Sequence, residues 1–99
     1  MMALGLSMRA GKCVAGDFAC EKAIKSLKAK LVIIESDISI QSAEHYKELC
    51  FYKQMPIVMI AGVSEAVGKS GRKVFAITDM GFANMILGAD APEKDNNKS

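Results

Sequence analysis

Residues 9–37, RAGKCVAGDFACEKAIKSLKAKLVIIESD, decide the fold. They read as a basic loop, a glycine turn, an amphipathic helix and a buried strand, in that order. The helix is expected from about Asp17 to Lys28, capped by Gly16 or Asp17. Cys20, Ala23, Ile24 and Leu27 recur at the spacing of a core-facing stripe. Phe18, Lys22 and Lys25 recur at i, i+4, i+7 on the opposite side. An exposed aromatic ring beside two cations, just after a glycine, suits a ligand that is both anionic and flat-faced. Nucleic acid is the commonest such ligand. Leu31-Val32-Ile33-Ile34 then forms a continuous β-branched run, the pattern of a strand covered on both faces.

Outward from this stretch, helix and strand patterns alternate. A helical segment is expected at about Met2–Ala10 and a brief strand at Lys12–Ala15. A helix from about Ser39 to Lys53 carries Ala43, Tyr46 and Cys50 on one side, and Pro56 ends that region. Ile57–Ile60 and Lys73–Ile77 read as two more buried strands, separated by a glycine-rich connector (Ala61–Gly71) with one short helical turn. A last helix, capped by Asp79 or Thr78, is expected to Gly88, with Phe82, Met85 and Ile86 on its apolar side. From Asp90 onward DAPEKDNNKS is polar and is expected to be a disordered tail behind one domain, residues 1–89. Strands separated by helices imply an α/β protein, a three-layer α/β/α sandwich.

Several chemistries are disfavoured. The chain has 99 residues, enough for one domain with its own core. No apolar run approaches the roughly 20 residues of a membrane helix. No secretory leader is visible, so a cytoplasmic, membrane-free setting is expected. Cys13, Cys20 and Cys50 show no CxxC spacing, and His45 has no cysteine near it in sequence, which argues against disulfides and zinc. The segment Gly62–Ser70 resembles a phosphate-binding loop, but five residues separate Gly62 from Gly68-Lys69-Ser70 where the motif has four. No serine elbow accompanies His45, and Glu44 and Glu48 read as a solvated helix face. Asp37, just past a strand, reads as a cap for the next helix with Ser36 or Ser39. No catalytic residue, metal or cofactor is expected.

Net charge is only +2, but six Lys/Arg against two acids fall within residues 1–30, and Lys69, Arg72 and Lys73 lie within five positions. This asymmetry points to a basic patch.

LGLSMRAGKCVAGDFACEKAIKSLKAKLVIIESDIS, the GKSGR at Gly68–Arg72 and AITDMGFANMI at Ala76–Ile86 resemble the superfamily of the archaeal ribosomal protein "L-seven-Ae", and within it the short bacterial YlxQ-like branch. The resemblance spans about Leu4 to Leu87. It implies a mixed four-stranded sheet and binding of kink-turn or related structured RNA, ribosomal RNA and the ribosome included, with no DNA partner. It also places the RNA site at the glycine turn, the start of the next helix and a loop mapping to about Ala61–Glu65. In that superfamily Gly-x-Asn-Glu-x-x-Lys reads the RNA. Here the glycine falls on Gly16 and the lysine on Lys22, while Phe18 and Ala19 stand at the Asn and Glu positions. Neither can make edge hydrogen bonds to a base, a loss of about 1–3 kcal/mol for each bidentate contact. The expected RNA-binding set is Lys12, Gly16, Asp17, Phe18, Lys22, Lys25, Ser64 and Glu65. The alternative is a protein-interaction module of the same fold, with Phe18 as its anchor.

Overall fold

The computed structural model describes residues 2–90. The elements are α1 (Met2–Arg9), β1 (Cys13–Ala15), α2 (Asp17–Lys25), β2 (Leu31–Glu35), α3 (Ile40–Tyr52), β3 (Ile57–Ile60), α4 (Val63–Ala66), β4 (Val74–Ile77) and α5 (Met80–Asp90). The four strands form one sheet in the order β1-β4-β2-β3. β4 is antiparallel to both β1 and β2, and β2 is parallel to β3, so the sheet is mixed. The tail expected from Asp90 onward lies outside the described residues, except Asp90 itself, where α5 ends.

Side-chain alternation divides the core into two layers. Leu31 and Ile33 of β2, with Phe75 and Ile77 of β4, point to the side covered by α1, α4 and α5 through Leu4, Val63, Ala83 and Ile86. Val32, Ile34, Val74 and Ala76 point to the other, covered by α2 and α3 through Cys20, Ala23, Ile24, Ala43, Tyr46 and Cys50. The molecule is therefore a three-layer α/β/α sandwich. All of β2 and β4 is buried because both are interior strands.

Five local expectations need correction. β3 is an edge strand whose Met59 is half exposed, so its apolar run is not covered on both faces. α2 ends at Lys25, three residues short of the expected end. Leu27 adopts a left-handed backbone (φ 63°) and is mostly exposed, and Ala29 takes the core position instead. Met85 points outward, leaving Ala83 and Ile86 as the buried stripe of α5. Asp37 does not cap α3. Ser39 does, its hydroxyl accepting from the Ser42 N–H at 3.2 Å, and Asp37 pairs instead with Lys73. The cap of α5 is Asp79, whose carboxylate accepts from the Phe82 N–H at 3.0 Å.

Candidate functional site

The site grows from the last residue before α2. Gly16 has φ 96° and ψ 163°, a region open essentially to glycine alone. It continues the β1 ladder, its N–H donating to the Val74 carbonyl at 3.0 Å, and its carbonyl receives the Cys20 N–H at 3.0 Å. One residue thus closes a strand and opens a helix. No side chain caps α2, and the N–H groups of Asp17, Phe18 and Ala19 make no hydrogen bond among the described residues.

The start of β4 lies between Gly16 and the end of β2. Gly16 bonds Val74, and the Glu35 N–H donates to the Lys73 carbonyl at 2.8 Å. This brings residues 71–73 beside the glycine turn. A Cβ added to Gly16 would lie 2.6 Å from a guanidinium nitrogen of Arg72. That guanidinium makes no hydrogen bond or ion pair among the described residues, which leaves it free for an anion. Arg72 is thus a functional candidate missing from the expected set. GKSGR carried its charge, but only the antiparallel pairing of β1 with β4 carries it to Gly16.

Glu35 is a second missing residue, and its role is structural. It is 7% exposed. Its Oε2 accepts from the Gly62 N–H at 2.8 Å and the Ser36 N–H at 3.2 Å. Its Oε1 accepts from the Ser64 N–H at 3.0 Å and faces the Ser64 hydroxyl at 2.8 Å. Burial pushes the carboxyl up, but the bonds donated by Ser64, Gly62 and Ser36 outweigh it and hold its pKa at about 2. The one proton of the Ser64 hydroxyl is shared between Glu35 and the Arg72 carbonyl, 2.7 Å away. Its signal was an acid closing an otherwise apolar strand, LVIIE.

The expected residues separate into groups. Phe18 is 84% exposed, its ring facing solvent. Lys22 is exposed and makes no ion pair among the described residues. Lys25 is exposed but lies 3.5 Å from Glu21, which also meets His45 at 3.1 Å. Asp17 accepts the buried Tyr46 hydroxyl at 2.5 Å, which ties the start of α2 to α3. Burial and then this bond push the Tyr46 phenol well above its ordinary pKa. Ser64 is buried and internally bonded, which removes it from the rim where it was expected, while Glu65 is exposed. Lys12 precedes β1 and Gly16 follows it, so four residues at about 3.3 Å each put Lys12 some 13 Å from the turn.

Two cavities flank α2, and they share no lining residue. One, of about 300 Å³, is bounded by Gly16, Asp17, Asp37, Ser39, Arg72 and Lys73. The other, of about 350 Å³, is bounded by Val14, Phe18, Lys22, Ser26, Lys28 and Thr78. The arrangement offers cations, an open helix start and an aromatic ring, the means to hold a polyanion. Burial pushes the thiols of Cys13, Cys20 and Cys50 up to about 11, 12 and 11, so they stay protonated and inert at neutral pH. No group of three His, Cys, Asp or Glu suited to a metal occurs among the described residues, and no helix there is long and apolar enough to cross a membrane.

Residues 1–87 match the model of the ribosomal protein L7Ae/L30e/S12e/Gadd45 family. The chain is 37% identical over 87 residues to RNA-binding protein YlxQ of Bacillus subtilis (strain 168), covering 85% of this chain and 87% of the relative. It is 36% identical over 86 residues to RNA-binding protein YlxQ of Enterococcus faecium, covering 84% and 82%. A solved structure of a protein of unknown function from Bacillus halodurans C superposes with a TM-score of 0.82 at 28% identity, over 87% of this chain and 90% of that one. The 15.5kD RNA binding protein of Giardia lamblia shares the fold, with a TM-score of 0.75 at 23% identity over 88% and 80%.

Proposed function

The chain belongs to the ribosomal protein L7Ae/L30e/S12e/Gadd45 family, and from that premise we propose that it binds structured RNA, without catalysis, at the edge of the sheet where α2 begins. The observation that carries the reading is the juxtaposition of Gly16, the uncapped start of α2 and Arg72, which is unpaired among the described residues. Gly16, itself buried, lets the Arg72 guanidinium lie close against the start of α2. Lys22, Arg72 and, more weakly, Lys25 neutralise phosphates, and the N–H groups of the first turn of α2 donate to them. Asp17 orients the helix start, and Phe18 contacts a base. Lys12 and Glu65 stand at the outer rim.

A kink-turn is the first RNA to test, and ribosomal RNA in the cytoplasm is the setting we assign. With Phe18 and Ala19 in the two base-reading positions, shape and phosphate placement carry more of the recognition than base edges do.

A gel shift with a kink-turn RNA at 50 and 200 mM salt tests the reading. Phosphate contacts numbering three or four weaken binding about 40- to 150-fold over that range. Absence of binding at low salt overturns the reading. Binding to a protein partner that ignores salt gives the surface to the Phe18 anchor instead.

A further inference from the structure

The groove on the Phe18 side of α2 shares no lining residue with the Gly16–Arg72 cavity; the proposed function already uses its Phe18 and Lys22, but not its Lys28, which the end of the helix brings there. On a continuous helix Lys28 would sit six residues past Lys22, about 240° around the axis, on another face. Leu27 instead turns left-handed at φ 63°. The N–H groups of Lys28 and Ala29 then both donate to the Ala23 carbonyl, at 2.9 and 3.0 Å. This folds the chain back so that Lys28 shares a groove with Lys22 and Phe18. A branched residue held at positive φ costs energy, and what it achieves here is a second cation on the groove.

The chemistry of the groove is one-sided. It is lined by apolar Val14, Ala19 and Ala23, by the exposed Phe18, and by Lys22 and Lys28. Thr78 and Ser26 add hydroxyls, that of Ser26 already donating to the Lys22 carbonyl at 2.8 Å, and no acid lines it. The cavity on the other side of the turn, by contrast, carries Asp17 and Asp37. At about 350 Å³ the groove has the size of a small-ligand pocket. An aromatic ring and an apolar lining with two ammonium groups match a base with a phosphate on either side.

We propose that this groove holds one unpaired nucleotide of a single strand that flanks the folded RNA, its base stacked on Phe18 and its phosphates held by Lys22 and Lys28. The proposal rests on the RNA-binding reading and adds a second contact to it. Thr78 donates its hydroxyl to the base edge or the ribose.

Fluorescence anisotropy with the full chain tests it. The probes are a blunt kink-turn RNA and the same RNA carrying a six-adenosine extension on each end in turn. One extended RNA is expected to bind about 5- to 150-fold tighter than the blunt one. Lys28→Ala should cut that gain about fivefold at 0.1 M salt and leave blunt-RNA affinity within twofold. Phe18→Ala should abolish the gain. Blunt RNA bound with no gain from any extension overturns the groove and leaves the RNA reading standing. Failure of both RNAs overturns both. A gain that survives Phe18→Ala and Lys28→Ala lies elsewhere on the surface and overturns the proposal. So does self-association of the protein that Phe18→Ala removes, which would give the groove to a second copy of the chain.

Discussion

The Glu35–Ser64 cluster at the end of β2 and the start of α2 are neighbours with opposite habits. At Glu35 one carboxylate gathers the N–H groups of Ser36, Gly62 and Ser64, and the Ser64 hydroxyl is shared with a backbone carbonyl. At the start of α2, Arg72 and Lys22 hold no partner among the described residues, and Phe18 stands in solvent. A buried polar group costs free energy unless it is bonded, so the first region is fixed by its own chemistry. The second leaves Arg72 and Lys22 unbonded among the described residues, available to something else. The bonded cluster serves as the frame that aims the unbonded region, because the start of β4 bonds to both.

The largest effect should come from breaking the frame. Glu35→Gln leaves a neutral, poorer acceptor facing several donors and should cost about 3 kcal/mol of unfolding free energy near pH 7. The sign follows from the carboxyl. Its folded pKa of about 2 lies below the ordinary 4.5, so its stabilisation is complete above the unfolded pKa. It fades as pH falls from about 5 towards 2. Urea unfolding of both proteins across that range should show their difference shrinking with acidity. A gap that stays constant would remove Glu35 from the role assigned to it.

Gly16→Ala comes next. The turn's dihedrals exclude a side chain at a cost of about 1–3 kcal/mol. Arg72 can swing away from the new methyl, so backbone strain sets the loss. The midpoint of thermal unfolding reads it. A variant as stable as the parent would show that the turn does not need its glycine.

Lys22→Ala belongs to the unbonded region and should leave stability within about 0.5 kcal/mol. It should weaken RNA binding and reduce the slope of log affinity against log salt by about 1. Unfolding of this variant would place Lys22 in the frame instead. The smallest effect is a gain. Leu27→Gly relieves a left-handed leucine and should stabilise the fold by about 0.5–1 kcal/mol in denaturant melts.

The layers were legible in the sequence because side-chain period is local. The runs LVII and KVFAI announced interior strands, and Ala43, Tyr46 and Cys50 lined one side of α3 as their spacing required. The exposure of Phe18 followed from the same arithmetic. The end of α2 did not, because Leu27 fits the helical stripe and only the downstream turn onto Ala23 shows that the helix has stopped. Nor did the partnership of Gly16 with Arg72, which joins residues far apart in sequence through the β1–β4 pairing. Ser64 was misread for the same reason: its burial depends on Glu35, twenty-nine positions away.

Backbone amide NMR during titration with a kink-turn RNA tests the central claim most directly. Residues 16–22 and 69–73 should shift most, and the Phe51–Met59 stretch at the far end of α3 and edge strand β3, with its exposed Phe51, Tyr52 and Met59, should stay still. The opposite map, with Phe51, Tyr52 and Met59 moving while Gly16 and Arg72 do not, would contradict the account.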